Sequence, residues 1–241
     1  MTAAPGITVT GHHRLGGEVL FDVDLRIPAG RWTCLLGRSG VGKSTVLRLI
    51  LGLETGGHFT GAIAASDTAP LTGRISYMAQ SDLLLPWLSV ADNVCIGARL
   101  RGDTPDMDRV RTLLRRVGLA KHADQKPASL SGGMRQRAAL ARTLFENRPV
   151  VFLDEPFSAL DAGTRADMQE LAAELLAGRT VLLVTHDPAE AARLADQITV
   201  LTRKGTEDWP VPDTPALRAI NHPQTLNCQA KLLDHLRGAT A

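Results

Sequence analysis

The stretch GRSGVGKST, Gly37 to Thr45, limits the possible folds of this chain more than any other feature. An apolar run, Arg31 to Leu36, precedes it and ends at Gly37. After it, Ser44 to Leu51 carries apolar residues at helical spacing. Strand, glycine-rich turn and helix around G-x-x-x-x-G-K-[ST] make a phosphate-binding loop. Gly37, Gly40 and Gly42 let the backbone wrap closely around phosphate oxygens, with Arg38, Ser39, Val41 and Thr45 completing the loop. The helix that follows points its positive end at the anion. Lys43 is placed to reach the β- and γ-phosphates, and Ser44 to ligate Mg2+. Two further runs follow in order: LSGGMRQR, Leu130 to Arg137, and then VVFLDEP, Val150 to Pro156.

The rest of the chain alternates strand-like and helix-like runs, which predicts an α/β core. Leu20 to Ile27 alternates apolar and polar residues, as a half-exposed strand does. Arg74 to Met78 and Ile198 to Leu201 read as strands. Val150 to Leu153 and Val181 to Val184 are wholly apolar, like central strands of a parallel sheet. Met168, Leu171 and Leu175 share one helical face between them. Val90 to Leu100 and Asp106 to Val117 read as helices parted by a Gly-Asp-Thr-Pro turn. That region predicts a helical subdomain of about residues 90–145 inserted in the core. Beyond Arg203 the pattern weakens. Lys204 to Pro215 is polar and proline-rich, and Thr225 to Leu236 reads as a helix.

Lys and Arg total 27 against 25 Asp and Glu, and no basic stretch stands out, so charge argues neither for nor against a nucleic-acid partner, and none is expected. Three scattered cysteines, without CxxC spacing, read as reduced thiols, with Cys34 and Cys95 in apolar core runs. No apolar run approaches the ~18 residues needed to span a bilayer. The N-terminus has no basic region followed by an apolar one, so it does not read as a secretory signal. A soluble chain is expected, and any action at a membrane needs partners that cross it.

The acidic pair has its own chemistry. Asp154 and Glu155 emerge at a strand end, where one carboxylate can orient Mg2+ and its neighbour can polarise an attacking water. Ser131 reads as a helix N-cap followed by two glycines, Gly132 and Gly133, which exposes backbone amides to an anion.

Phosphate loop, LSGGMRQR and the acidic strand end, in that order, resemble the ATP-binding-cassette (ABC) ATPases, over roughly Leu20 to Leu201. The resemblance implies an ATPase with ATP and Mg2+ as cofactors and a P-loop NTPase fold. That fold has a RecA-like core, an inserted helical subdomain and an N-terminal antiparallel β subdomain. It implies an ABC ATPase domain over 1–205 and a short C-terminal extension over 206–241. By this resemblance Asp154 is the Mg2+-associated aspartate and Glu155 the general base. Ser131 and Gly133 touch the γ-phosphate held by a second copy of the chain. Gln80, ending ISYMAQ, links Mg2+ and the attacking water to the membrane contact; from its residues alone it is a surface amide. His186, in LLVTHD, contacts the γ-phosphate; alone it is a strand-end histidine. SALD, Ser158 to Asp161, contacts the opposite subunit.

SDLLLPWLSVADNV, Ser81 to Val94, narrows the resemblance to importer ATPases of the nitrate, sulfonate and taurine uptake family, as does Met134. Leu83, Leu84, Leu85 and Trp87 form either a core hairpin or a groove for a helix of a membrane subunit, and the resemblance favours the groove. The implied partners are a second copy, two membrane-spanning permease subunits and, indirectly, a substrate-binding protein, with the chain peripheral on the cytoplasmic side of the membrane. Export or lipoprotein-release ATPases are the rival within transport. Soluble ABC ATPases usually carry two cassettes or a long insertion. A binding-only subunit conflicts with intact Lys43, Glu155 and His186. One departure stands out: GHHRLGG, Gly11 to Gly17, lacks the aromatic residue that stacks on adenine, which leaves His12, His13 or weak stacking.

Overall fold

A computed structural model of the chain describes residues 4–238; residues 1–3 and 239–241, the outer ends of the two sequence ranges above, lie outside it. In chain order the elements are β1 (Ile7–Leu15), β2 (Glu18–Ile27), β3 (Trp32–Leu36), α1 (Lys43–Ile50), β4 (His58–Ala65) and β5 (Ile75–Met78). Next come α2 (Val90–Val94), α3 (Ile96–Leu100), α4 (Met107–Arg116), α5 (Gly132–Phe145), β6 (Val150–Asp154) and α6 (Ala162–Leu175). The chain closes with β7 (Thr180–Thr185), α7 (Pro188–Leu194), β8 (Gln197–Thr202), β9 (Gly205–Trp209) and α8 (Pro223–Gly238). The strands form an antiparallel sheet in the order β2-β1-β4 and a six-stranded sheet in the order β5-β6-β7-β3-β8-β9. The expected α/β architecture, with its N-terminal antiparallel sheet, is borne out.

The chain packs as two compact units. The first holds residues 4–75, Pro149–Phe152 and 178–238; the second holds Ser76–Arg148 and Leu153–Ala177.

In the first unit β3 runs parallel to β7 and β8, and every residue of β3 and β7 is buried. Strands covered on both faces need continuous apolar sequence, which WTCLL and TVLLVT supply apart from their threonines. Cys34, Leu36, Ile198 and Val200 share a core with Cys228 and Leu232 of α8. The weakly patterned tail therefore completes the core. It first adds β9, an antiparallel edge strand on β8. The sequence GTEDW conceals that strand because an edge strand of a hairpin stays largely polar.

Arg218 anchors the tail and is only 5% exposed. Its guanidinium donates to the carbonyls of Thr214 (2.9 Å), Ala192 (3.1 Å), Ala195 (2.8 Å) and Pro212 (3.1 Å). Burial pulls its pKa down, and Asp196 partly offsets this. Two of those carbonyls lie at the C-terminal end of α7, where a cation meets the negative end of the helix dipole.

In the second unit α2 and α4 pack on α5, whose buried face carries Ala138, Leu140, Ala141 and Leu144. The run Val90 to Leu100, expected as one helix, is two. The break falls at Cys95, where φ −101° and ψ 9° leave the helical region. Contacts from elsewhere in this unit hold the second piece, α3. Arg101 pairs with Glu146 at 2.7 Å, and that carboxylate sits so close over Gly97 that a Cβ there would lie 2.0 Å from Oε1. All three cysteines are buried and free, Cys34 and Cys95 as expected and Cys228 against α7 and β8.

Candidate functional site

In the first unit the phosphate loop leaves the carboxyl end of β3 and feeds α1. Gly42 stands at the helix N-cap with φ 109° and provides no side-chain cap, so the leading amides of α1 are left for an anion. A side chain at Gly42 is also excluded by space, because a Cβ would lie 2.4 Å from Phe21 Cδ1. Lys43 is 6% exposed, and its Nζ donates to the carbonyls of Gly37 (2.7 Å) and Arg38 (3.0 Å) across the loop. Arg38, Ser39 and Gly40 are exposed at the tip, and Val41, Ser44 and Thr45 are half-buried. His186 is exposed just past β7, and Asp187 beside it caps α7 through Ala189 N at 2.8 Å.

Phe21 has a partner that the sequence reading placed elsewhere. His13 is fully buried and stacks on Phe21, with ring centroids 5.5 Å apart and planes 17° from parallel. Its Nε2 lies 2.8 Å from Thr55 Oγ1, and burial, with His58 nearby, holds its pKa below the usual histidine value. His13 is thus spent as a buttress behind the phosphate loop and cannot stack on a base. Alternation along β1 puts His12 on the opposite face, half-buried.

In the second unit the chain brings together Gln80, Asp154, Glu155 and the first turns of α5. Asp154 is 3% exposed at the end of β6, and Tyr77 OH lies 3.5 Å from its Oδ2. Gln80 is exposed, and its Nε2 donates to Glu155 Oε2 at 3.1 Å. Glu155 has φ 48°, a left-handed conformation uncommon for any residue but glycine. Ser131 caps α5, accepting from Met134 N at 3.2 Å, as the sequence predicts, and Gly132 is exposed beside it. A Cβ on Gly133 would lie 3.3 Å from Ala159 O, so α5 approaches the 155–161 turn closely. Asp161 caps α6 through Thr164 N at 3.0 Å, and that hydrogen bond holds its carboxyl below the usual range.

The segment after Gln80 divides by burial. Leu84 is core, while Leu83 is 61% and Trp87 66% exposed. Asn93 makes this loop rigid: its Oδ1 accepts from Leu85 N at 2.7 Å, and its Nδ2 donates to Leu85 O (3.1 Å) and Ser89 O (3.0 Å). Arg142 donates to Leu83 O (2.8 Å) and Asp82 O (2.6 Å), and Arg135 pairs with Asp82 at 3.0 Å. Arg135 and Arg142 had no assigned role in the sequence; their place in and just beyond LSGGMRQR was the available signal.

A phosphate loop at the end of a central parallel strand, an Asp-Glu strand end and a capped Ser-Gly-Gly helix define an ATP-binding-cassette ATPase. This chain belongs to the ABC transporter family, whose model matches residues 20–158. It hydrolyses ATP and uses Mg2+. It is 42% identical to an uncharacterized ABC transporter ATP-binding protein of Haemophilus influenzae, over 92% of this chain and 94% of that protein. It is 47% identical to an aliphatic sulfonates import ATP-binding protein of Rhodococcus jostii, over 84% of this chain and 81% of that one. A dimeric ATP-binding cassette in a post-hydrolysis state with ADP and Pi matches with TM-score 0.72 and 28% identity, over 88% of this chain and 99% of that one. A bacterial Atm1-family exporter with ATP bound shares the fold alone, with TM-score 0.75 and 21% identity; this chain spans 44% of that chain's length.

With His13 buried, base recognition is expected to be weak. Competition binding should give a preference for ATP over GTP below about tenfold, or about 1.4 kcal/mol. A larger preference that disappears in His12→Ala would put the base on His12.

Proposed function

We propose that this chain is the ATP-hydrolysing subunit of an importer for a small polar solute, of which an aliphatic sulfonate is the leading candidate and nitrate or a thiamine-pyrimidine precursor the others. The relatives named as sulfonate import ATP-binding proteins support the cargo class. One observation carries the coupling role. Leu83 and Trp87 stand exposed on a braced loop that starts at Gln80, the residue whose amide meets Glu155. Among the described residues no helix is long and apolar enough to cross a membrane, so a membrane-spanning partner at Trp87 supplies the path.

In this reading Lys43 and the amides of Gly37 to Thr45 bind the β- and γ-phosphates, and His186 contacts the γ-phosphate. Ser131, Gly132 and Gly133 of a second copy, with Asp161 beside them, close on the same nucleotide. The pair is head to tail, so two copies hold two ATP molecules. Glu155 takes the proton from the attacking water while Gln80 orients it. The donors suit a hard cation: Mg2+ is usually held by one or two protein oxygens plus phosphate oxygens, and Ser44, Asp154 and Gln80 offer oxygens of that kind. When bound, Mg2+ neutralises charge on the β- and γ-oxygens. Closure of the pair pulls on the two permease subunits, and hydrolysis reopens it. The cassette occupies 1–205 and the extension 206–241, on the cytoplasmic face of the membrane.

Trp87→Ala tests the coupling surface. An exposed side chain away from the core costs within about 0.5 kcal/mol of stability when truncated. Basal ATPase of the purified chain should persist, while stimulation by permease subunits and solute-loaded binding protein should fall. Stimulation unchanged by the substitution would remove Trp87 from the interface. Stimulation by nitrate-loaded but not alkanesulfonate-loaded binding protein would overturn the cargo class.

A further inference from the structure

We infer that Gln136 is a positioning residue that holds Glu155 in its left-handed turn and ties the alignment of the base to helix α5. The inference rests on the proposal that Glu155 is the base. Gln136 lies in the second turn of α5, past Ser131 and Gly133, and is 6% exposed. A buried amide needs both its donor and its acceptor satisfied, and here both ends reach the same turn. Nε2 donates to Glu155 O at 3.0 Å and lies 3.4 Å from Ser158 Oγ, and Oε1 accepts from Ala159 N at 2.9 Å. Ser158 Oγ also donates to Glu155 O at 3.0 Å. A non-glycine residue keeps a left-handed conformation only where its surroundings enforce it. At Glu155 three donors converge on its own carbonyl: Ser158 Oγ and Ser158 N (3.3 Å) from within the turn, and Gln136 Nε2, the one that comes from α5. The close approach of Gly133 to Ala159 O leaves little slack between helix and turn. A shift of the Ser131 end of α5 is therefore passed to the backbone of Glu155 through one rigid amide. Gln136 is buried with its amide directed at the 155–159 turn, so it acts through Glu155.

The chemistry of the amide supplies the test. Gln136→Glu keeps an acceptor for Ala159 N but, when ionised, turns an oxygen toward Glu155 O. Protonation restores an O–H donor of nearly the same shape, so the defect belongs to the ionised form. At neutral pH, kcat for ATP hydrolysis by the full chain should fall about 10- to 100-fold, the scale of a slightly misplaced catalytic group. KM and the dissociation constant for ATP should stay within about threefold of the parent, because the phosphate loop is untouched. The variant-to-parent ratio of kcat should rise as pH is lowered and fall as it is raised. In Gln136→Leu, hydrogen exchange at the Ala159 amide should speed up whether or not ATP is present. A pH-independent ratio, or an unchanged kcat with unchanged exchange, overturns the inference; if Gln136→Leu does not fold, the Gln136→Glu ratio decides. Glu155→Gln run alongside separates the two ideas. If that variant turns over normally, the base assignment fails; if it is inactive while Gln136→Glu is fully active, only the role of Gln136 fails.

Discussion

Glu155→Gln should lower ATP turnover by about 10²- to 10⁴-fold, the range in which general-base catalysis contributes. The substitution changes little else. A glutamine oxygen can still accept from Gln80 Nε2, which meets Glu155 Oε2 at 3.1 Å. Its carbonyl can still accept from Gln136 and Ser158. Glu and Gln differ little in backbone preference, so the left-handed turn at φ 48° should survive. What disappears is the lone pair able to take a proton from water. ATP should then bind and stay, and copies paired on it should stay paired. Phosphate release under saturating Mg-ATP measures the first effect, and sizing chromatography in the same buffer measures the second. Turnover within a few-fold of the parent would remove Glu155 from the mechanism. Loss of ATP binding would mean that the residue holds the site together instead of acting in it.

Arg218→Met should destabilise the chain by about 3 kcal/mol. A methionine fills similar space but donates nothing. The carbonyls of Ala192, Ala195, Pro212 and Thr214 would then each lose a charged donor. Hydrogen bonds to charged groups contribute about 1.5–3 kcal/mol each, and local opening to water recovers part of four such losses. For a chain of this size the melting temperature should drop by roughly 6–12 °C. The first segment to loosen should be the tail from Pro210, which brings α8 onto α7 and β8. Calorimetry and limited proteolysis follow both effects. A drop below about 2 °C would show that water replaces the guanidinium at little cost.

Local pattern accounts for much of what was legible in the sequence. The glycines and Lys43 of the phosphate loop sit at fixed spacing between an apolar strand and a helix, and that is a property of adjacent residues. The same holds for Ser131, whose capping hydrogen bond to Met134 N spans three residues. The apolar runs within strands β3, β6 and β7 could be read because burial on both faces removes the reason for polar alternation. The order of phosphate loop, LSGGMRQR and Asp-Glu then named the family, because each run needs the others for its chemistry.

The rest depended on partners far away in the chain. Alternation along β1 says that His12 and His13 face opposite ways. Which of them is buried depends on the register that sets His13 opposite Phe21 and Phe59. Arg218 in the sequence is one more polar residue in a proline-rich tail; in the fold it meets the end of α7 and is buried. Gln136 and Glu155 are 19 residues apart, and no periodicity links a helix side chain to a strand-end carbonyl. By itself the sequence determined the family, the phosphate loop and the strands of the core, because short-range spacing dictates backbone form and burial. Only the tertiary structure decided which polar side chains are spent holding the site in place, because a buried donor is satisfied by whichever carbonyl the fold brings to it.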